Sequence, residues 1–217
     1  MSQPETRNPK LGTEQLELLK QYADLLASFT KKHNLISPNT IPEIWERHIE
    51  HCLAIASKRF PDGCTVVDWG TGGGLPAIPL AIVFPKVQFV GVDAVWKKVM
   101  AVRAMARQLG LANLEAWHGR AESWDGAQHY SVSRATAPLS DLWFWHDRAV
   151  ESLENHGAQD WSPGLICLKG GDLVQEIDDL KRVAPSLTIK KTPLEEIMRA
   201  KFVQEKYIMH ICNTLVA

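Results

Sequence analysis

No stretch of this sequence has the length and apolar purity of a membrane-crossing helix, which needs about 20 consecutive apolar residues. The best run, Leu75 to Phe84, is interrupted by Pro76 and Pro79 and stopped by Pro85. The opening MSQPETRNPK has no apolar centre of the kind a secretory signal requires. Cysteine is scarce and scattered: Cys52, Cys64, Cys167 and Cys212 form no CxxC pair and have no histidine at zinc-ligand spacing. That argues against a disulfide framework and a structural metal, and implies reduced core thiols in a cytoplasmic protein. A basic surplus is missing as well. The 24 Lys and Arg are matched by 25 Asp and Glu, for a formal net charge of −1. Proteins that coat nucleic acid by counterion release are strongly positive, so any RNA contact here must come from local patches. Internal repeats and low-complexity tracts are also absent.

What is present, 217 residues of 45% hydrophobic and 23% charged composition, suits a soluble globular protein, either one well-cored domain with an appendage or two small domains. Leu16, Leu19, Tyr22, Ala23, Leu26 and Phe29 fall at helical spacing between Thr13 and His33. A second helix is predicted from Pro42 to Lys58 through Ile44, Ile49, Cys52, Leu53 and Ala56, after the turn-rich Asn34–Asn39. Residues 1–60 thus read as a helical extension, and 61–217 as the main domain. The texture changes at Pro61-Asp62-Gly63. Strands are predicted at Thr65–Asp68, Gln88–Asp93, Leu114–His118, Tyr130–Ser133 and Leu165–Leu168, with a closing hairpin of Leu187–Lys190 and Lys206–Ile211. Helices are predicted up to Phe84 and at Val95–Leu109, Leu139–Leu153 and Leu173–Val183. Val95, Val99, Val102, Ala106 and Leu109 are expected on the inner face of the second of these, with Gly110 as its stop. Alternating strands and helices imply an α/β fold, a doubly wound and mostly parallel sheet.

A strand, a glycine turn, a helix and a second strand ending in an acid form the layout of a nucleotide-type cofactor site. Here the turn reads Asp68-Trp69-Gly70-Thr71-Gly72-Gly73-Gly74-Leu75-Pro76. Glycines let the backbone approach a ligand, and Asp93 ends the second strand, placed for ribose hydroxyls. A dinucleotide site would put a pyrophosphate on the helix N-terminus, where Asp68 is repulsive and Leu75-Pro76 blunts the helix. Beside the α-ammonium or sulfonium of S-adenosylmethionine, Asp68 is attractive, so the methyl donor is the expected cofactor. The plainer alternatives are a cap or turn carboxylate at Asp68 and a loop carboxylate at Asp93.

Three stretches carry a resemblance. Asn34-Leu35-Ile36 with Trp45-Glu46-Arg47-His48-Ile49, the loop from Asp68 to Ile82, and Ser133-Arg134-Ala135 with Leu168-Lys169-Gly170 resemble the small-subunit rRNA guanine-N7 methyltransferases of the RsmG or GidB family. Together with Ala121-Glu122 these run from about residue 15 to 175. Ala77 stands where the family has glycine, and Leu194–Met198 lacks the family's Pro- and Gly-rich string. The resemblance implies a Rossmann-like class I methyltransferase that uses S-adenosylmethionine and takes small-subunit (16S) ribosomal RNA, or the small subunit, as partner. It assigns Gly70, Leu75, Asp93, Ala121, Glu122 and Arg134 to the cofactor and its approach, joining Asp68 and Gly72 from the loop itself. Arg134 and Lys169, at successive strand ends, are the candidates for holding guanine O6 or flanking phosphates. The plainer readings are an ion pair for Arg134 with Asp93 or Glu122, and a solvated strand-end lysine for Lys169.

Guanine N7 carries its lone pair in the ring plane, so its methylation needs alignment rather than a strong base; no catalytic triad is evident. The basic clusters are Lys31-Lys32-His33, Lys97-Lys98, Arg103 with Arg107, Lys190-Lys191 and Arg47-His48, of which the first and last rank highest as RNA contacts. His48 itself reads as a hydrogen-bonded helix residue. Trp69, Trp143 and Trp145 are candidates for base stacking, with core packing as the commoner role. A nicotinamide-dependent oxidoreductase would share the fold but lacks a recognisable hydride-transfer pair here, and a non-catalytic module would not be expected to retain Asp93 and Arg134. A monomer is expected, since no apolar stripe is left over.

Overall fold

The computed structural model describes residues 11–134, 136–151 and 160–214. The opening decapeptide, Ala135 of the Ser-Arg-Ala signature and the last two positions of the helix expected to reach Leu153 lie outside these.

Five parallel strands form the heart of the sheet: β1 (Thr65–Trp69), β2 (Gln88–Asp93), β3 (Leu114–His118), β4 (Tyr130–Arg134) and β5 (Gly164–Gly170). β6 (Leu187–Pro193) and β7 (Lys206–Asn213) close it as an antiparallel hairpin, giving the order β3-β2-β1-β4-β5-β7-β6. The doubly wound α/β reading holds, with every strand close to its predicted place. The β-branched and apolar runs place side chains alternately on two faces, both covered. Val66, Tyr130, Val132, Ile166 and Leu168 enter one core, and Val67, Trp69, Leu165 and Cys167 the other. The helices are α1 (Thr13–His33), the single turn α2 (His51–Leu53), α3 (Ala77–Val83), α4 (Trp96–Gln108), α5 (Leu139–Ala149) and α6 (Val174–Val183). Among the described residues no helix is long and apolar enough to cross a membrane.

Two expectations need correction. The segment from Pro42 to Lys58 is not one α-helix: a 3-10 turn (Pro38–Glu43) holds Pro42 inside it, a π-helical stretch spans Trp45–Glu50, and α2 and a 3-10 turn (Ala54–Ser57) complete it. The spacing explains this. Ile44 and Ile49 are both buried and stand five apart, one wide π turn, and Trp45 Nε1 donates to Glu50 Oε1 at 3.0 Å across the same interval. Val95 is not on the inner face of α4; it is 46% exposed. It caps α4 in an extended conformation, which turns its side chain outward, whereas Val99, Val102, Ala106 and Leu109 are buried. Gly110 does follow α4 as its stop, with φ of 68°. Three of the four cysteines are buried free thiols, and Cys212 is half-buried.

α1 ends at Asn34, which adopts left-handed geometry and returns its N–H to Thr30. Its inner residues Leu19, Tyr22 and Leu26 are fully buried in the same core as α3 and α4. The Tyr22 hydroxyl donates to the Gly73 carbonyl at 2.9 Å, and a Cβ on Gly73 would lie 2.9 Å from Leu26 Cδ1 and 3.2 Å from Leu35 Cβ. The N-terminal helix therefore packs directly against the glycine turn. Tyr22→Phe is expected to leave that buried carbonyl without its partner and to cost about 1–3 kcal/mol, read as a lower melting temperature; an unchanged melt would show that the bond contributes nothing.

Candidate active site

The chain winds outward from β1 to β3 and then returns to β4 and β5 on the other side. The carboxyl ends of β1 and β4 therefore flank the switch point where open α/β sheets leave a ligand crevice. A cavity of about 460 Å³ opens there, and its walls include Gly70, Gly72, Leu75, Asp93, Ala121, Glu122 and Arg134. Seven of the eight residues expected at the cofactor thus share one cleft. Asp68, the eighth, is not in its wall.

The turn is built from its own backbone bonds. Gly70 and Thr71 donate to the Val92 carbonyl at 2.9 and 3.0 Å, and Gly74 and Leu75 donate to the Thr71 carbonyl at 2.8 and 3.0 Å. Gly72 N–H goes to Asp93 Oδ2 at 3.0 Å, and the other Asp93 oxygen accepts Val95 N–H at 2.8 Å. Each carboxylate oxygen keeps a lone pair for a ligand hydroxyl. Gly70 has φ of 70°, and a Cβ there would come within 2.1 Å of Thr136 Cγ2, so the loop after β4 closes directly on the turn. With five of its six N–H groups engaged internally, the turn is a poor phosphate cradle, and nothing in its geometry favours the dinucleotide alternative.

Asp68 is 0% exposed, and its Oδ2 accepts the Ala77 N–H at 3.1 Å. It caps the start of α3 beneath the turn, and its charge reaches the cleft only at a distance. Burial pushes its carboxyl up to about 7, against the pull of the Thr71 hydroxyl, the Ala77 N–H and Arg134. Trp69 is a core residue: its Nε1 donates to Ser131 Oγ at 2.9 Å, and its ring meets Trp124 and Trp145 edge-on at 5.6 and 6.1 Å. Trp143 is buried as well, whereas Trp145 reaches the cleft wall.

A second cavity, of about 590 Å³, adjoins the first and shares Arg134 with it; the other residues around it include Thr40, Arg47, His48, His51, Lys169 and Lys206. Arg134 is not paired with Asp93 or Glu122; its Nη1 donates to His48 Nδ1 at 2.9 Å. Lys169 is only 8% exposed, and its Nζ donates to the Ala137 carbonyl at 2.5 Å and to Glu176 Oε2 at 2.7 Å. Glu176 Oε2 also accepts the Leu139 N–H at 3.1 Å. That is not the solvated lysine of the plainer reading: Lys169 ties the loop after β4 to α5 and α6. The sequence did not single out Thr40, Thr136 or Lys206. Thr40 and Lys206 come to the site from a 3-10 turn and from the start of the last strand, far from any cofactor motif. Lys98 of the Lys97-Lys98 cluster lies at the first cleft.

Sheet order, switch-point cleft and ribose-type acid define a class I S-adenosylmethionine-dependent methyltransferase. The model of the GidB family, rRNA small subunit methyltransferase G, matches residues 15–201, and the chain belongs to that family. It is 49% identical over 202 residues to a ribosomal RNA small subunit methyltransferase G of Salinibacter ruber, covering 93% of this chain and 94% of that one. The protein of the same name from Chlorobaculum tepidum is 40% identical over 189 residues, covering 84% and 83%. Among solved structures, the fold is shared with a SAM-dependent methyltransferase of Aquifex aeolicus (TM-score 0.55, 15% identity, 78% and 93% covered). It is shared also with the magnesium protoporphyrin IX methyltransferase of Synechocystis with bound SAM (TM-score 0.58, 12% identity, 95% and 100% covered).

Two outcomes are expected. Asp93→Ala should weaken S-adenosylmethionine binding by about 1–3 kcal/mol, the range for hydrogen bonds to a charged group; unchanged affinity by calorimetry would take Asp93 out of the site. Asp68 titrates near 3.8 when unfolded and near 7 when folded, so the folded chain holds an extra proton between those values. Its contribution to stability is complete below the lower value and is lost as pH rises through the upper one. Asp68→Asn should therefore gain stability relative to the parent in urea unfolding at pH 8 compared with pH 5, and an equal difference at both would refute the raised titration.

Proposed function

We propose that this chain transfers a methyl group from S-adenosylmethionine to N7 of a guanine in small-subunit ribosomal RNA. The observation that carries the reading is that Arg134 belongs to the walls of both cavities, so a donor in one and an acceptor in the other meet at its guanidinium. Family membership supports the RNA substrate. Bound S-adenosylmethionine supplies an electrophilic methyl group on a sulfonium.

The chain's own residues hold and orient. In this reading Asp93 takes the ribose hydroxyls, Ala121 and Glu122 flank the adenine, and Gly70, Gly72 and Leu75 line the path between. The first cavity's volume is within the roughly 300–1,000 Å³ of small-ligand sites. Asp68 holds the turn from beneath through the Ala77 N–H. In the second cavity Arg47, Arg134 and Lys206 present cations to the guanine O6 and neighbouring phosphates, which answers the balanced global charge with a local patch. Since N7 carries no proton, no side chain has to remove one; in-line placement and exclusion of water supply the acceleration. Lys169, engaged with Ala137 and Glu176, acts by holding the loop that follows Arg134 and does not reach the base. The helical extension, described from residue 11 to 60, serves as a cap that braces the glycine turn and lends Arg47 and His48 to the acceptor side. A monomer working in the cytoplasm, where the RNA is, completes the proposal.

The test is transfer of labelled methyl to small ribosomal subunits lacking the modification, followed by nucleoside analysis. Label in 7-methylguanosine is expected, and label in any other nucleoside would overturn the assignment. Arg134→Ala should lower methyl transfer more than it lowers thermal stability; a collapsed melt with normal activity per folded molecule would make Arg134 structural.

A further inference from the structure

Behind Arg134 runs a chain of hydrogen bonds whose directions can be worked out from one end. Thr40 Oγ1 lies 2.7 Å from the Ser37 carbonyl, which only accepts, so the hydroxyl proton points there. Toward His48 Nε2, 2.8 Å away, the Thr40 oxygen is then an acceptor, and the imidazole proton sits on Nε2. A neutral ring with its proton on Nε2 leaves Nδ1 bare. Arg134 Nη1, which can only donate, is 2.9 Å from that atom. One tautomer satisfies all three bonds; the other places two N–H groups face to face.

The ring is also held neutral. Burial, with Arg134, Lys206 and Arg47 as neighbouring cations, lowers His48 to about 4; burial with Arg134 and Lys206 lowers His51 beside it to about 3. A neutral anchor has a consequence that a carboxylate would not. An Asp or Glu would fix the guanidinium equally well but cancel its charge, whereas a bare imidazole nitrogen fixes it and leaves the full positive charge facing the cavities. Among the described residues, no ion pair to a carboxylate occupies Arg134.

We propose that Thr40 and His48 are positioning residues for Arg134: Thr40 selects the His48 tautomer, and its bare Nδ1 sets the guanidinium at the wall between the two cavities. The proposal rests on the acceptor-side reading of Arg134 given above.

The first measurement is the ¹⁵N spectrum of the His48 ring in the full chain at neutral pH. A protonated Nε2 with an unprotonated Nδ1 is expected; the opposite tautomer, or a doubly protonated ring, would overturn the proposal. The second is a pair of activity cycles. Thr40→Val should lower methyl transfer by roughly fivefold, the order of one hydrogen bond between neutral groups, and should cost nothing further in an Arg134→Ala background. An equal loss in both backgrounds would mean that Thr40 acts elsewhere. His48→Asn, whose Oδ1 can stand in for Nδ1, should retain most activity, and His48→Gln, which reaches only toward Thr40, should not; the reverse order would also overturn it. The spectrum needs neither RNA nor a variant that folds. Its failure is thereby separable from failure of the wild type to methylate RNA, which would sink the functional reading instead.

Discussion

The arrangement at the carboxyl ends of the sheet depends on how the Gly70–Leu75 turn disposes of its backbone N–H groups. Two go to Val92, one to Asp93 and two back to Thr71. That pattern ties the turn to β2 and lets a single carboxylate both hold the turn and face the cleft. It also determines what the site can bind. A turn with free, converging N–H groups attracts phosphate; one whose N–H groups are internally engaged, with a carboxyl under the helix start, presents hydroxyl acceptors and an environment suited to a cation. The disposition of those donors, more than the glycines themselves, sets what the turn can present to a ligand.

The turn in its place requires support from below. Gly73 lies against Leu26 and Leu35 with no room for a side chain, and its carbonyl is satisfied by Tyr22. On the other side, Thr136 crowds Gly70, and the loop bearing Thr136 is fixed by Lys169 and Glu176. The cofactor turn is thus clamped between an N-terminal helix and the connection from β4 to α5. A short buried helix such as α3 needs comparable help at its far end. There Asn113 donates its side-chain amide to the carbonyls of Ala81, Phe84 and Val87 at 3.0–3.1 Å, tying the last turn of the helix to the connection that leads into β2.

Much of this was legible from the sequence, because the informative residues are local ones. The β-branched run at Thr65–Val67, the turn after it, Asp93 at a strand end and Gly110 after a helix all signal their structure within a few positions. What escaped is what depends on distant partners. The spacing of five between Ile44 and Ile49 signals a π turn only once both are known to be buried. Asp68 reads as a cofactor carboxylate by position, but the side chain turns inward to Ala77. Lys169 carries the right charge at the right strand end, yet the Ala137 carbonyl and Glu176, 32 and 7 residues away, had already claimed its donors. Lys206 has no motif at all and joins the second cavity only through an antiparallel pairing.

That pairing has a consequence for the order in which the molecule can be completed. β7 lies between β5 and β6, and among the described residues β6 has no sheet partner except β7. As the chain emerges during synthesis, the cofactor cleft, built from residues up to Trp145, can close early. The preceding strand β6 must wait for the final one, and with that strand comes Lys206 at the second cavity. A nascent chain in this fold acquires the elements of its first cleft well before its second cavity is complete.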